Sequence, residues 1–496
     1  MSLNKTDYLK LHAWGEDDFL LRDEINRNFE LIDQAFRQTP SNVVNVKAFG
    51  AKGDGITPDS DAINRAIASS KEGDIIYFPS GTFILDKTVF LLKGRTYEGV
   101  GLSTIFYLRD KANCPMFSLE PTGSLNNLMV IKNMYLQGNK FQQTAGWAGF
   151  VLHDLGYSYM ENVRVESCSG SGFYLEGSEG IYGSTVYFRD VWSYGNDVYG
   201  FYISPRNLDL HLYGGDIGYN QYAGVYLGSP SSSINNAVIW GTRNGSGVIV
   251  PPSAPSVQIF NCHIEGHAGH GIEVHASHVQ ITGNKIYDNA NIPVHYGLYD
   301  GVYVNGTEDN IVEHVVIASN IIYSGLYDGT GFHRHSVTLD AYHKNCVVKA
   351  NSVQYNDNGK VDTNGILIFG LKAGDESDDG IFILSTDRPF NARPEQIYYE
   401  ADTRRKIMYD VHLGWCRMLV HKKDINYGTG SVPANAKTLT ISFSTVMPTA
   451  NYSLSFATNW FTQVRHIDKT VNGFTVEFET PCPNIGGYFD WSLFLP

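Results

Sequence analysis

Two columns of residues recur in step through the middle of the chain, and together they leave few folds open. The first is asparagine at the start of short apolar segments: Asn133, Asn162, Asn236, Asn261, Asn284, Asn320 and Asn351. Asp190 and Gly215 fill the two missing registers. The second is glycine followed by an apolar run, at Gly172, Gly200, Gly224, Gly247, Gly271, Gly301 and Gly365. The offset between the columns holds at 9 to 11 residues for five turns. A unit of that length cannot bury its apolar side alone, so successive units must stack as the coils of a solenoid. Coils stacked at the strand spacing of about 4.8 Å bring the asparagine side chains within bonding reach of one another.

The offset then lengthens to 17, 16 and 14 residues at Asn284, Asn320 and Asn351. Three successive coils therefore carry insertions at one corner. Insertions of this kind gather on one face, often the binding face.

The flanks read differently. Residues 16–37 place Phe19, Ile25, Phe29, Ile32 and Phe36 at helical spacing behind an acidic start. That pattern fits a surface helix on its own domain, or a docking or oligomerisation helix. Residues 43–69 run from strand to glycine-rich turn to helix, with Asp59 or Ser60 available as cap and Ala62, Ile63, Ala66 and Ile67 as the apolar face. The glycines match neither GxxxxGK[ST] nor GxGxxG, so a phosphate cradle is excluded in favour of a turn. Residues 373–380 read as a linker, and 430–496 alternate as a compact β-sandwich does. The expected fold is mainly β, a solenoid with an N-terminal helix and a C-terminal β-sandwich. Its segments are 1–40, 41–372, a linker and small β module at 373–425, and 426–496.

Composition narrows the partners. A net charge of −14 argues against nucleic acid, whose binders carry basic patches. The six cysteines form no CxxC pair and suggest reduced thiols made in a cytosol. No apolar run is long enough to span a membrane, and the first residues lack the apolar core of a signal peptide.

Counting four residues on from the asparagine column gives Gln137, Glu166, Tyr194, Tyr219, Trp240, Glu265, Asp288, Ser324 and Tyr355. Alternation should place this column on one face. Aromatic faces stack on sugar rings, and a pair of carboxylates can cleave a glycosidic bond. The substrate-binding candidates are therefore Tyr194, Tyr219, Trp240 and Glu166. The catalytic candidates are Glu265 and Asp288, with His263 beside them and Asp300 and Asp328 on the inserted loops; Asp216 is a further acid. A solvated polar face would give the same column without chemistry. Histidines crowd the region too, at His263, His267, His270, His275 and His278, with His295, His333 and His335 on the loops. No HExxH-type motif joins them, so no metal or other cofactor is expected, although a divalent ion is conceivable.

Several stretches also carry resemblances. The run Asn45 to Gly55, with Thr57, Asp59, Ala62, Ile63 and Phe78 to Phe83, resembles the opening of the pectate-lyase-like superfamily found in phage tail spikes. That resemblance implies a right-handed parallel β-helix. It leaves the chemistry open, since the superfamily includes lyases, hydrolases and inert scaffolds. Residues 384–420 resemble a small β module of phage virion proteins, and the last domain resembles those at the ends of tail fibres. Gly269-His270-Gly271 is similar to a polygalacturonase motif, but the companion motifs of that family do not stand at matching positions. What the resemblances imply is a phage tail spike in the virion; with the acid pair, the rim of insertions and few bases in the coils, the expected activity is binding of a bacterial surface glycan and its cleavage by hydrolysis. Arg22 to Asn26 and Asn28 to Glu30 also resemble particle-proximal segments of tail proteins, and together the resemblances imply a homotrimer attached to the tail or baseplate through its N-terminus. The competing readings are a spike that adsorbs without cleaving, and a polysaccharide lyase.

Overall fold

A computed structural model describes residues 42–324 and 333–353 continuously, most of 4–38, short strands between 366 and 417, and most of 426–494. The chain divides into two compact units, Met1–Gln354 and Tyr355–Pro496.

The first unit is a parallel β-helix. Each regular coil carries three strands, as in Gln258–Phe260, His263–Glu265 and Ile272–Val274, and each pairs in parallel with its counterpart on the next coil. Alternation sends one side chain of each pair inward. Ile217, Ile239, Ile264, Ile286 and Ile322 thus stand in register and are almost wholly buried. In the earlier coils the interior is aromatic: Phe150, Phe173 and Phe201 stack at 5.4 and 4.4 Å. In-register packing of like side chains is what makes a short repeat stable.

The asparagine column is in fact two ladders. Asn133, Asn162, Asn236 and Asn261 adopt left-handed backbone at the corner, and Asn162 donates to Asn133 at 2.8 Å. Asn284, Asn320 and Asn351 stand one residue later, behind Gly283, Ser319 and Ala350, which now hold the left-handed position. Their amides bond one another at 3.0 Å, and the backbone N–H of Cys262 donates to Asn284.

A further ladder fills the next corner. Cys168 N–H donates to Asn196, Asn196 to Asn220, Thr242 N–H to His267, His267 N–H to Asn289, and Asn289 N–H to His333. Burial holds His267 and His333 neutral, with pKa values lowered to about 3. These two histidines are structural. The glycine column is explained by the same corner. A Cβ on Gly247 would stand 2.5 Å from His267 Nε2 and 2.6 Å from the Gly271 carbonyl oxygen.

The expected helix at 43–69 is α1, Ser60–Ser69, which buries Ala62, Ile63, Ala66 and Ile67. Asp59 precedes it but does not cap it by a side-chain bond. Its carboxylate instead receives the N–H groups of Lys52, Gly53 and Ile84, and Ser60 receives those of Asp86 and Lys87. The loop competes for the cap because its own backbone donors would otherwise be buried unpaired. A second helix lies earlier in the chain, Arg22–Gln38. Asn28 clamps the backbone of His12 from both sides, and Trp14 donates to Glu24. Phe29 stays 65% exposed on that helix; Phe19 lies outside the described residues.

In the second unit, Ile366–Ile368, Ile381–Ile383 and Ile397–Glu400 pair in parallel and are followed by antiparallel strands. Further on, two three-stranded antiparallel sheets share a core of Val432, Phe474, Val476, Phe478, Cys482 and Phe489. Among the described residues Cys114, Cys168, Cys262, Cys346 and Cys482 are free thiols, and burial pushes Cys168 and Cys262 up to about 12. No described helix is long and apolar enough to cross a membrane.

Candidate functional site

The middle strands of the coils build the wall on which the sequence places its candidates. Two outward positions per coil run up it side by side. One column is Gln137, Glu166, Tyr194, Gly218, Trp240, Glu265, Tyr287 and Tyr323. The other passes through Arg164, Trp192, Asp216, Val238, His263 and Lys285.

Three expected members, Tyr219, Asp288 and Ser324, are therefore displaced by one residue. Glu265 pairs in register with Tyr287, not with Asp288. Asp288 follows in left-handed backbone and is 4% exposed, so it is not Glu265's partner across the wall. The cause is the split between the asparagine ladders: Asn261 and Asn284 hold different corner positions, and a one-residue slip reverses a side chain's face. The same slip put Tyr219 where Gly218 stands.

Gly218 shapes the wall. A Cβ there would lie 2.7 Å from the indole of Trp240. Without one, the indole lies across the neighbouring coil, and its Nε1–H reaches Asp216 Oδ1 at 2.5 Å. Tyr219, 45% exposed beside the glycine, meets Trp240 at 4.5 Å and 63°. Tyr194 meets Trp240 at 5.6 Å and Tyr219 at 5.5 Å, both inclined steeply. The three expected aromatic residues are thus brought together, with rings turned edge-on rather than stacked against one another.

Glu265 is half-buried next to this cluster. Burial raises its carboxyl above the ordinary value, with Asp288 and Asp216 adding to the rise and His263 and Lys285 opposing it. His263 is exposed on the same strand and edge-on to Tyr287. Glu166 is occupied otherwise. It receives Arg164 through both Nε and Nη2 at 2.8 and 2.6 Å, together with the Tyr135 hydroxyl and Gln137. It fixes Arg164 over the Tyr135 ring rather than offering a free carboxylate.

Asp300 belongs elsewhere. It is fully buried at the start of a glycine-led strand, where Arg334 grips both its oxygens at 3.0 and 2.6 Å and His335 N–H adds a third bond. A carboxylate so enclosed cannot meet a substrate and serves to hold Arg334. Asp328 lies outside the described residues, as do Tyr355 and Gly365. Among the described residues, no group of three or more His, Cys, Asp or Glu is placed to hold a metal ion.

The glycine-led strands form a second wall that the site reading passed over. Their outward column is Tyr174, Tyr202, Tyr226, Ile249, Glu273 and Tyr303. The signal was the second residue after each glycine, tyrosine in four of the six repeats and glutamate in a fifth.

Comparisons with known proteins agree with this architecture. Residues 43–273 match the family model described as rhamnogalacturonase A/epimerase, pectate lyase-like, and residues 223–388 match that of the right handed beta helix region. The chain folds as a right-handed parallel β-helix, and its residues 43–273 are similar to the pectate-lyase-like family. It is 24% identical over 355 residues to the pre-neck appendage protein of Bacillus phage phi29, covering 68% of this chain and 34% of that protein. It is 25% identical over 268 residues to a glucan 1,3-beta-glucosidase of Cochliobolus carbonum, covering 45% of this chain and 33% of that one. The enzymatically active domain of tailspike protein 2 from bacteriophage CBA120 shares its fold at a TM-score of 0.54 and 11% identity, over 86% of this chain and 63% of that one. The chain spans about a third of the length of the curated relatives it matches (34% of the phage PZA and phi29 proteins).

Proposed function

We propose that this chain is a tail spike of a phage virion that binds a bacterial surface glycan and cleaves it by hydrolysis on the wall around Trp240. One observation carries the reading: a half-buried acid of raised pKa, Glu265, adjoins an open aromatic cluster that also contains a second acid, Asp216. Tyr194, Tyr219 and Trp240 would take sugar rings on their faces. Glu265 would protonate the leaving oxygen, since burial holds its proton to higher pH than an ordinary carboxyl does. Asp216 would act as base, with His263 placed to orient the acid.

Asp216 and Glu265 stand two coils apart and two residues apart along the strand, a backbone separation of roughly 12 Å. That favours the wider carboxyl spacing of about 6.5–9.5 Å and hence inversion of the anomeric centre. The likeness to a phage appendage protein, a tailspike and a glucosidase supports the setting and the class of polymer. The capsule, exopolysaccharide or teichoic acid of the host is the substrate class. The working form is a homotrimer attached to the tail through the Arg22–Gln38 helix, with Phe29 offered for contact. It is made in the host cytoplasm and acts at the cell surface.

The test is direct. Purified protein is incubated with surface polysaccharide, and polymer size and anomeric configuration are followed. Shortening that disappears in Glu265→Gln supports the reading. Tight adsorption with no shortening would move it to a binding spike, and products carrying an unsaturated sugar would move it to a lyase.

A further inference from the structure

The second wall has two parts, with the coil of Ile249 between them. Tyr174, Tyr202 and Tyr226 stack ring on ring at 4.8 and 5.1 Å, tilted by 10° and 13°. Their ring faces cover one another, so what the stack offers outward is a row of ring edges and hydroxyls, one per coil. The hydroxyls of Tyr202 and Tyr226 have no hydrogen-bond partner among the described residues. Tyr199 flanks the row at 5.5 and 5.7 Å, and Tyr222 beyond it is 52% exposed.

Further along the same wall comes a polar cluster. Glu273 accepts from Ser246 at 2.8 Å and pairs with His275 Nε2 at 2.9 Å. His275 Nδ1 faces the Asn305 carbonyl, so both its ring nitrogens meet acceptors and the ring is held as imidazolium. His270 lies flat on Tyr303 at 4.5 Å and accepts the Asp300 N–H on Nδ1. Its proton therefore sits on Nε2, a donor with no acceptor among the described residues. The inserted corner closes over this point: Tyr299 packs edge-on against His270, and His295 against Tyr299.

We infer that this wall is a second glycan track, taking an uncharged polysaccharide that runs along the axis over the tyrosine hydroxyls with one sugar seated between Glu273, His270 and Tyr303. The inference rests on the reading of the protein as glycan-binding but names a separate site and a ligand class. Spacing and charge carry it. The hydroxyl row advances by one coil, close to the length of one pyranose unit in an extended chain, so successive sugars meet successive donors. Asp300 and Arg334 neutralise one another, and the remaining carboxylates Glu176, Glu273 and Asp340 outnumber the cation His275. Such a wall repels a polyanion and leaves a neutral chain to bind through hydroxyl and carboxylate hydrogen bonds.

The experiment uses the full chain. Labelled protein is tested for adsorption to bacterial strains. Polysaccharide from a strain that takes it up is split by anion exchange into uncharged and anionic pools, and affinity for each is measured. We expect the wild type to bind the uncharged pool. The Tyr202→Phe/Tyr226→Phe variant, which keeps the ring stack, should bind it roughly tenfold more weakly, the size expected for losing two neutral hydrogen bonds. Glu273→Gln should weaken it as well, with melting curves confirming that each variant is folded. Unchanged affinity in these variants overturns the track, and so does binding confined to the anionic pool. Both results leave glycan cleavage on the Trp240 wall standing. Adsorption to no strain overturns that broader reading itself.

Discussion

The two outward walls arise from the same coils and the same parallel register, yet their chemistry is opposite. On the glycine-led wall an unbroken run of tyrosines stacks ring on ring, and the carboxylate of Glu273 is held below its ordinary value by His275, His270 and Ser246 against the pull of burial. On the Trp240 wall a glycine interrupts the aromatic column. The indole falls across the gap, the rings turn edge-on, and Glu265 is raised by burial by more than His263 and Lys285 lower it. Register alone produces ladders. On the Trp240 wall the break at Gly218 is what lets the indole lie across the gap beside Tyr219.

The largest expected effect separates the walls by rate. Glu265→Gln should lower glycan cleavage by about 10²–10⁴-fold without unfolding the chain, as loss of a general acid does. Asp216→Asn should do the same if the pair acts together. A wild-type rate in both variants would remove the Trp240 wall from the chemistry.

The next test restores the missing side chain. Gly218→Ala sets a methyl 2.7 Å from the indole, which must swing away. We expect a loss of about 1–3 kcal/mol in stability from overpacking, read by denaturant melts, and weaker binding to glycan from a scattered aromatic cluster. An unchanged indole fluorescence spectrum would show that the glycine does not set the ring's position.

A third comparison uses pH on the reaction. Because burial raises Glu265, the protonated acid persists above the ordinary carboxyl range and is lost as pH rises through its raised pKa. Cleavage should fall along that limb, and the limb should vanish in Glu265→Gln. A limb that persists in the variant would assign the proton to another group.

The smallest effect sharpens the other wall. The folded-state pKa of His275 lies above its ordinary 6.5, through its bond to Glu273, so its stabilisation is whole below 6.5 and fades as pH rises through the raised value. Glu273 lies below its ordinary 4.5, so its stabilisation is present above 4.5 and fades as pH falls. The pair therefore helps most between those two values. His275→Gln should lower the melting temperature in that window and by less at pH 9; an equal loss at every pH would contradict the ion pair.

Much of the coil architecture was legible in the chain. The glycine column, the lengthened corners, the strand–turn–helix opening and the apolar face of Ser60–Ser69 all follow from spacing and residue type. So did the gathering of Tyr194, Tyr219 and Trp240, although Tyr219 reaches the cluster from the corner rather than from the column. The pairing of Glu265 with Asp288 was not legible. Asn261 and Asn284 look equivalent in a list, yet one holds the left-handed turn and the other hangs inside it. Likewise His267 and His333 read as loop or site histidines, while the fold uses them as neutral rungs of a corner ladder.

The spacing of glycine and asparagine determined by itself that this chain winds into coils, because units so short have no other way to bury their apolar side. Which carboxylates face one another was decided only by the tertiary structure. In a sheet of period two a single residue of slip sends a side chain from the surface to the interior, and only the pairing of coils settles where the slip falls.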